Sequence, residues 1–422
     1  MSKTKSEKDP LLGSSRTESA SSGGVTGKEF ETIGLGKKLS WAMNGSFLLL
    51  FSGVLVGFVP IKEMMLETKL YTKLQLDLGF FISLTLMSLL ALPAGLLLDY
   101  FGPRILSIVG AFIQTIGYFL TFLAFYLELP SAVLTVSFAL DGIANPIIFS
   151  SLIHLTKISD KYEHILMSIL TGIWDLAAIF GYVLQCLSRY ITVHSIFWVL
   201  TMIYAVITLM SIHVLPERQQ VDSSSVLSTA KSSKVAPDEL TNKKLLFLTI
   251  SASFFILQTN FYLTNVREIL EDIVTDKQVV DVATKTFALT FPTIGFVAAI
   301  LTGVIIHYLD VGRSLVVVII IQTLFGICSN IPVLSLQYAS FILYIFYRMS
   351  MYTLINVMIG KSPPRILGRN LGIVYGMASL VSFIGFPLTA ITTEFLSGRF
   401  IFVTASLAIL SGIFACCLRY II

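Results

Sequence analysis

The chain has 422 residues, of which 55% are hydrophobic and only 13% charged, and its net charge is +4. That mixture is too apolar for a soluble domain of this length and fits a polytopic membrane protein. It excludes a nucleic-acid binder, because the cations are spread over short loops, and the four cysteines (Cys186, Cys328, Cys416 and Cys417) all fall inside apolar runs, where they form neither a disulfide framework nor a metal-ligand pattern.

The first 36 residues are polar and rich in Ser, Gly, Lys and Glu, without the apolar core of a cleaved signal peptide. They read as a disordered cytosolic tail over 1–40. Within it, Glu7, Leu11 and Leu12 have the spacing of an acidic dileucine signal. Cytosolic clathrin adaptors read such addresses when they sort membrane proteins to endosomes, lysosomes or vacuoles.

Crossing about 30 Å of hydrocarbon takes about 20 apolar residues. Spans near 41–60, 78–98, 104–127, 130–155, 165–188 and 193–215 form an N-terminal six-helix bundle over 41–215. A polar linker over 216–242 follows. Spans near 243–265, 284–308, 313–330, 333–358, 369–392 and 399–420 then form a second bundle over 243–422. The expected fold class is all-α membrane, with twelve transmembrane helices in two pseudo-symmetric six-helix bundles set in the lipid bilayer. Placing the tail in the cytosol puts 20 of the 29 Lys and Arg on that side, 8 on the other and Arg348 inside a span. This bias predicts cytosolic N and C termini. The sequon Asn44-Gly45-Ser46 falls in the first span and should carry no glycan.

Between the second and third spans runs Gly95-Leu-Leu-Leu-Asp99-Tyr-Phe-Gly102-Pro103-Arg104. Asp99 ends one helix and Arg104 begins the next, so each charge sits at the dipole end that disfavours it and needs a partner elsewhere. Gly95 would let a neighbouring helix pack closely, and Pro103 suits the first turn of a helix. The second half echoes the stretch with Gly303, with His307 in place of the aspartate, and with Gly312 and Arg313 after one inserted residue. Gly172 and Gly181 also recur as Gly376 and Gly385, a constant offset of 204. A parallel duplication explains both.

An ionisable side chain at mid-membrane depth costs about 2.5–3.5 kcal/mol on insertion scales, which makes it a functional candidate by default. Asp141, Asp175 and Arg348 qualify, in spans four, five and ten. Asn145, Trp174, Gln258 and Tyr347 complete the expected substrate-binding set. No P-loop, His-Glu-x-x-His, Cys-x-x-Cys or Ser-His-Asp arrangement is present, so the chain reads as neither an enzyme nor an ATP-driven pump, and no cofactor or metal site is expected.

The 95–104 stretch resembles the loop between helices 2 and 3 of the major facilitator superfamily, G-x-x-x-D-x-x-G-R-R/K, with Pro103 where that pattern has its first arginine. The resemblance covers nearly all of 41–420. It implies two halves that rock about a central site lined by helices 1, 4, 7 and 10. It also implies a gating role for Gly95, Asp99, Gly102 and Arg104, and for His307 and Arg313 in the second half. On that architecture Asp141 and Arg348 would face each other and take the two ends of a zwitterion. Leu92-Pro93-Ala94-Gly95, the Gly-Pro-Arg ending, Leu140-Asp141-Gly142, Phe149-Ser150-Ser151-Leu152 and Asn260-Phe261-Tyr262-Leu263 are similar to the sodium-independent neutral amino-acid facilitator branch, which includes large-neutral-amino-acid carriers and protozoan relatives. Asp141 departs from that branch's Leu-Asn-Gly run. The expected function is secondary transport of a small solute, an amino acid, across a lysosomal or vacuolar membrane, as a uniporter or coupled to protons through Asp141 or Asp175. Transport of a nucleobase, another metabolite or a metal ion at the plasma membrane stands as the alternative, together with a non-transporting scaffold or receptor.

Overall fold

In hydrocarbon every backbone N–H and C=O must be satisfied within its own segment, and apolar runs of this length achieve that as helices. A computed structural model describes residues 35–53, 57–153, 156, 163–215, 242–274, 276–363, 366–396 and 399–421. The dileucine-like Glu7, Leu11 and Leu12 and residues 216–241 of the linker lie outside the described residues.

The first half comprises α1 (Leu35–Phe51), α2 (Phe58–Glu67), α3 (Lys73–Leu89), α4 (Ala91–Phe101), α5 (Pro103–Tyr126), α6 (Ser131–Ile153), α7 (Glu163–Leu187) and α8 (Val193–Val214). The second comprises α9 (Asn242–Thr264), α10 (Val266–Ile273), α11 (Lys277–Ser329), α12 (Leu334–Gly360), α13 (Leu367–Ser382), α14 (Gly385–Phe395) and α15 (Ile401–Ile421). Among the described residues nine helices are long and apolar enough to cross a membrane, and the bent pair α3–α4, which turns through 49°, makes ten. The 53-residue α11 is two spans joined at Asp310, where the backbone leaves helical geometry. α1 and α2 lie on either side of residues 54–56 within the expected first span, and α2 continues to Glu67. The described helices fit the twelve crossings expected.

Local signals account for the ends. Thr72 and Gln75 form a reciprocal capping box at the start of α3, and Pro103 opens α5 directly after Gly102. Gly102 has φ 82°, ψ 170°, a conformation that L side chains avoid. Asp310 has nearly the same backbone, φ 65°, ψ 169°. That match places the inserted residue of the repeat after the turn, between Asp310 and Arg313. Gly95 and Gly303, Asp99 and His307, and Gly102 and Asp310 each differ by 208 positions, so no residue is inserted before the turn and the counterpart of Gly102 is Asp310, not Gly312. The cysteines are unpaired among the described residues, and Cys186 and Cys416 are exposed on the outer surface, not packed inside.

Candidate functional site

α4 carries Gly95 buried on the face turned toward the second half. A Cβ built there would overlap the Gly368 carbonyl oxygen of α13, and one built on Gly372 would come within 2.7 Å of the Leu92 Cα, so the two helices touch backbone to backbone. One turn on, the Asp99 carboxylate accepts hydrogen bonds from the Gly368 N–H at 2.8 Å and the Arg369 N–H at 2.7 Å. These donors belong to the first turn of α13, whose own N-cap residue, Ile366, offers no side-chain cap. Asp99 therefore caps a helix of the opposite half, and the positive end of that helix dipole answers the charge its own helix disfavours. Arg104 works differently. Its guanidinium donates to the Ile212 carbonyl in the last turn of α8, a bond inside the first half. In the second half Gly303 presses on α7, where a Cβ would overlap Ser168, while His307 is exposed and the side chain of Arg313 stays at the break, beside Asp310 at 3.8 Å. At this end the two halves are in direct contact.

Asp175 and Arg348 lie near the middle of α7 and α12. They meet across the two halves, with Arg348 Nη1 donating to Asp175 Oδ2 at 2.5 Å, and their side chains are 3% and 11% exposed. The Arg348 guanidinium lies 4.9 Å from the ring centres of both Phe291 and Tyr352, a cation–π sandwich that walls it on two sides. Its Nε has no partner among the described residues. Around the pair, Phe149 packs against Trp174 at 5.3 Å and Tyr375 at 6.2 Å. The Tyr375 hydroxyl donates to Asn356, whose amide donates in turn to Thr171 of α7 at 3.0 Å. The result is a mid-depth site of one cation, one anion and an aromatic wall, built from both halves.

Of the seven expected substrate-binding residues, the structure brings together Trp174, Asp175 and Arg348. Asp141 does not face Arg348. It is 1% exposed inside the first half and accepts from Gln114 Nε2 at 2.7 Å. Asn145 also turns inward, its amide donating to the Asp141 carbonyl at 3.0 Å and the Ser52 carbonyl at 3.4 Å. Gln258 and Tyr347 belong to the interior of the second half, where the Tyr347 hydroxyl lies 3.0 Å from Gln258 Oε1 and 3.0 Å from Ser411 of α15. Each of these residues turns into the interior of its own half, away from the Asp175–Arg348 pair. Phe291, Tyr352, Asn356 and the α13 first turn are additions. Tyr352 had a signal, since it lies four residues after Arg348 on one helix face. No cluster of three or more metal-binding side chains occurs among the described residues.

A family model described as Major Facilitator Superfamily matches residues 41–359. Protein FMP42 of Saccharomyces cerevisiae is 26% identical over 145 residues, which cover 30% of this chain and 28% of that protein. The chain thus matches under a third of that relative's length. Among solved structures, the human organic anion transporter MFSD10 superposes with a TM-score of 0.67 at 13% identity, covering 90% of this chain and 99% of that one. A bacterial homologue of the iron transporter ferroportin, in an outward-facing state, gives 0.67 at 12% identity over 91% and 99%. The E. coli fucose:proton symporter FucP gives 0.64 at 12% identity over 90% and 98%. Identities this low speak to the fold alone.

Proposed function

The chain belongs to the major facilitator superfamily, integral membrane transporters of small solutes that work by alternating access, and we propose that its own solute is an amino acid. The observation that carries this reading is the Asp175–Arg348 pair, one charge from each half, at mid-depth. A zwitterion can replace both partners at once. Its carboxylate takes the planar guanidinium fork, using the unpaired Nε as a second donor, and its ammonium takes Asp175. The aromatic groups Trp174, Phe149, Tyr352 and Tyr375 suit a neutral, apolar side chain on the solute. Because each half holds one charge, the bound solute takes over the link between them, which is what alternating access about a central site requires.

The two bundles are 41–215 and 243–422, joined by a cytosolic linker. The end closed by Gly95 and Asp99 faces the cytosol, as the bias of Lys and Arg suggests. Glu7, Leu11 and Leu12 direct the protein to a lysosomal or vacuolar membrane through clathrin adaptors.

Uptake of a labelled amino-acid panel into proteoliposomes tests the substrate. Arg348→Ala should abolish uptake of every transported member while the protein stays monodisperse. Uptake of a nucleobase or metal ion with no amino acid would refute the reading. Changing Leu11 and Leu12 to Ala should move a tagged protein to the cell surface, and an unchanged location would remove the sorting signal.

A further inference from the structure

Beneath the Asp175–Arg348 pair lies a layer of uncharged groups that also joins the two halves. Thr171 is one turn of α7 from Asp175, in the direction of Glu163. Asn356 is about two turns of α12 from Arg348, in the direction of Gly360. That direction leads to the Asp99 contact, since α12 ends at Gly360 and α13, whose first turn Asp99 caps, begins at Leu367.

The hydrogen bonds of the layer permit one arrangement. The Thr171 hydroxyl donates to the Met167 carbonyl at 2.9 Å, so its proton is used and toward Asn356 it can only accept. The group facing it is therefore the Asn356 NH2, which donates at 3.0 Å. Asn356 Oδ1 is then turned to the Tyr375 hydroxyl, which donates at 2.7 Å. Asn356 is 1% exposed and Thr171 6%. The chain from Tyr375 through Asn356 to Thr171 is satisfied at each link, and it ties α13 and α12 of the second half to α7 of the first.

The internal repeat locates this layer. Gly172 and Gly376 are counterparts, so the residues before them, Thr171 and Tyr375, are counterparts with the same offset of 204. One comes from each half, and both bond to Asn356. In a parallel duplication the halves are related by an axis along the membrane normal, and a group held between two equivalent positions lies beside that axis. A solute leaving Asp175 and Arg348 toward the Asp99 end meets Asn356 on its way.

A ring stack connects the layer to the charged pair. Tyr352 lies 4.9 Å from the Arg348 guanidinium and parallel to Tyr375, with ring centres 6.4 Å apart and 8° between the planes. A solute carboxylate that draws Arg348 off Asp175 disturbs Tyr352 first and Tyr375 next, and Tyr375 is the group that aims the Asn356 amide. A second charged pair in this layer would compete with Asp175 and Arg348 for the two ends of a zwitterion. A neutral hydrogen bond joins the halves without holding either end.

We propose that Asn356 is an inner gate between the central site and the Asp99 end, that Thr171 is its catch, and that Tyr375 is the positioning residue through which solute releases it. The gate stands without any solute; only its release by solute rests on the amino-acid reading.

The gate is tested on purified full-length protein without solute, with the four native cysteines replaced by serine and Ser168→Cys as reporter. Ser168 is 0% exposed on α7, about one turn past Thr171 and pressed against Gly303 of the second half, so maleimide reaches it when the halves part at this end. Loss of a typical net hydrogen bond shifts an equilibrium about fivefold. Thr171→Val, Tyr375→Phe and Asn356→Leu should each raise the labelling rate by about that factor. Thr171→Ser, which keeps the hydroxyl, should stay within about twofold of the reporter background, and all variants should keep its elution volume. Thr171→Val combined with Asn356→Leu should be no faster than Asn356→Leu alone, because both remove the same bond, whereas general loosening of the fold would make the factors multiply. A Thr171→Val rate within twofold of background, or multiplying factors in the double variant, would overturn the gate. An unchanged Tyr375→Phe rate would overturn the role of Tyr375. Release is read with the amino-acid panel in the same assay. Any member that wild type takes up should speed labelling, and the acceleration should be about fivefold smaller in Asn356→Leu and in Tyr375→Phe. Equal acceleration in the variants would refute release by solute. A panel without a transported member would sink the amino-acid reading and leave the solute-free rates to decide the gate.

Discussion

Asp99→Asn isolates the contribution of one carboxylate to holding the two halves together. The wild-type carboxylate accepts two backbone N–H groups of α13, at 2.8 and 2.7 Å, one on each oxygen. Asparagine keeps one acceptor oxygen, turns an NH2 toward the other donor and removes the charge that meets the helix dipole. A hydrogen bond to a charged group contributes about 1.5–3 kcal/mol. The dipole contributes about 0.3–1 kcal/mol at an exposed site. Asp99 is only half-buried, so its loss should cost the closed state about 1–3 kcal/mol in total, a shift of about 5- to 150-fold in the ratio of access states. Thr171→Cys provides the reporter, because Thr171 is 6% exposed and lies under the interface opposite Asn356. In a background with the four native cysteines replaced by serine, maleimide should modify it faster by that factor in Asp99→Asn. His307→Ala should change the rate far less. Rates that agree within about twofold, under about 0.5 kcal/mol, would show that Asp99 does not hold this end shut.

Three further outcomes are expected. Gly95→Val should place its side chain inside the Gly368 carbonyl and prevent closure, so transport stops while the protein still folds; normal uptake would mean that the α4–α13 contact is dispensable. Asp175→Asn and Arg348→Gln should each lower stability by about 3–5 kcal/mol, because each leaves a buried group uncompensated, whereas Asp175→Leu with Arg348→Met should be nearly neutral. Additive losses in thermal unfolding would show that the two do not act as a pair. Asp310→Gly should relieve about 1 kcal/mol of positive-φ strain while losing the bond from the Arg313 N–H, leaving stability within about 1 kcal/mol of wild type. Asp310→Val should be clearly destabilised in the same unfolding assay, as a β-branched residue tolerates that backbone poorly.

The sequence made the crossings legible because hydropathy and length are properties of a single segment. Gly95, Asp99 and Gly102 stood out for a related reason: an acid at the wrong end of a helix and glycines beside it announce a partner even when the partner is unknown. The partner itself, the α13 first turn, was not legible, since any exposed helix start can serve. The central site failed in a more instructive way. Asp141, Asn145, Gln258 and Tyr347 sit on helices expected to line the central site, but a helix that is apolar all round carries no pattern to reveal its rotation. Only packing turns Tyr347 toward Ser411 while its neighbour Arg348 faces Asp175. The register of the repeat was hidden likewise, because Gly102 and Asp310 share a backbone conformation and not a residue type.

The contact between α4 and α13 sets how this end of the molecule responds to force. Backbone atoms pressed together attract over a fraction of an ångström, and a carboxylate centred on two N–H groups tolerates little sideways displacement. Sliding α4 along α13 would lose both interactions before any opening was gained, so the halves must part along the line that joins them. A spring would yield in proportion to load; this arrangement behaves as a magnetic catch, holding fully or not at all. Half-open forms gain nothing from it.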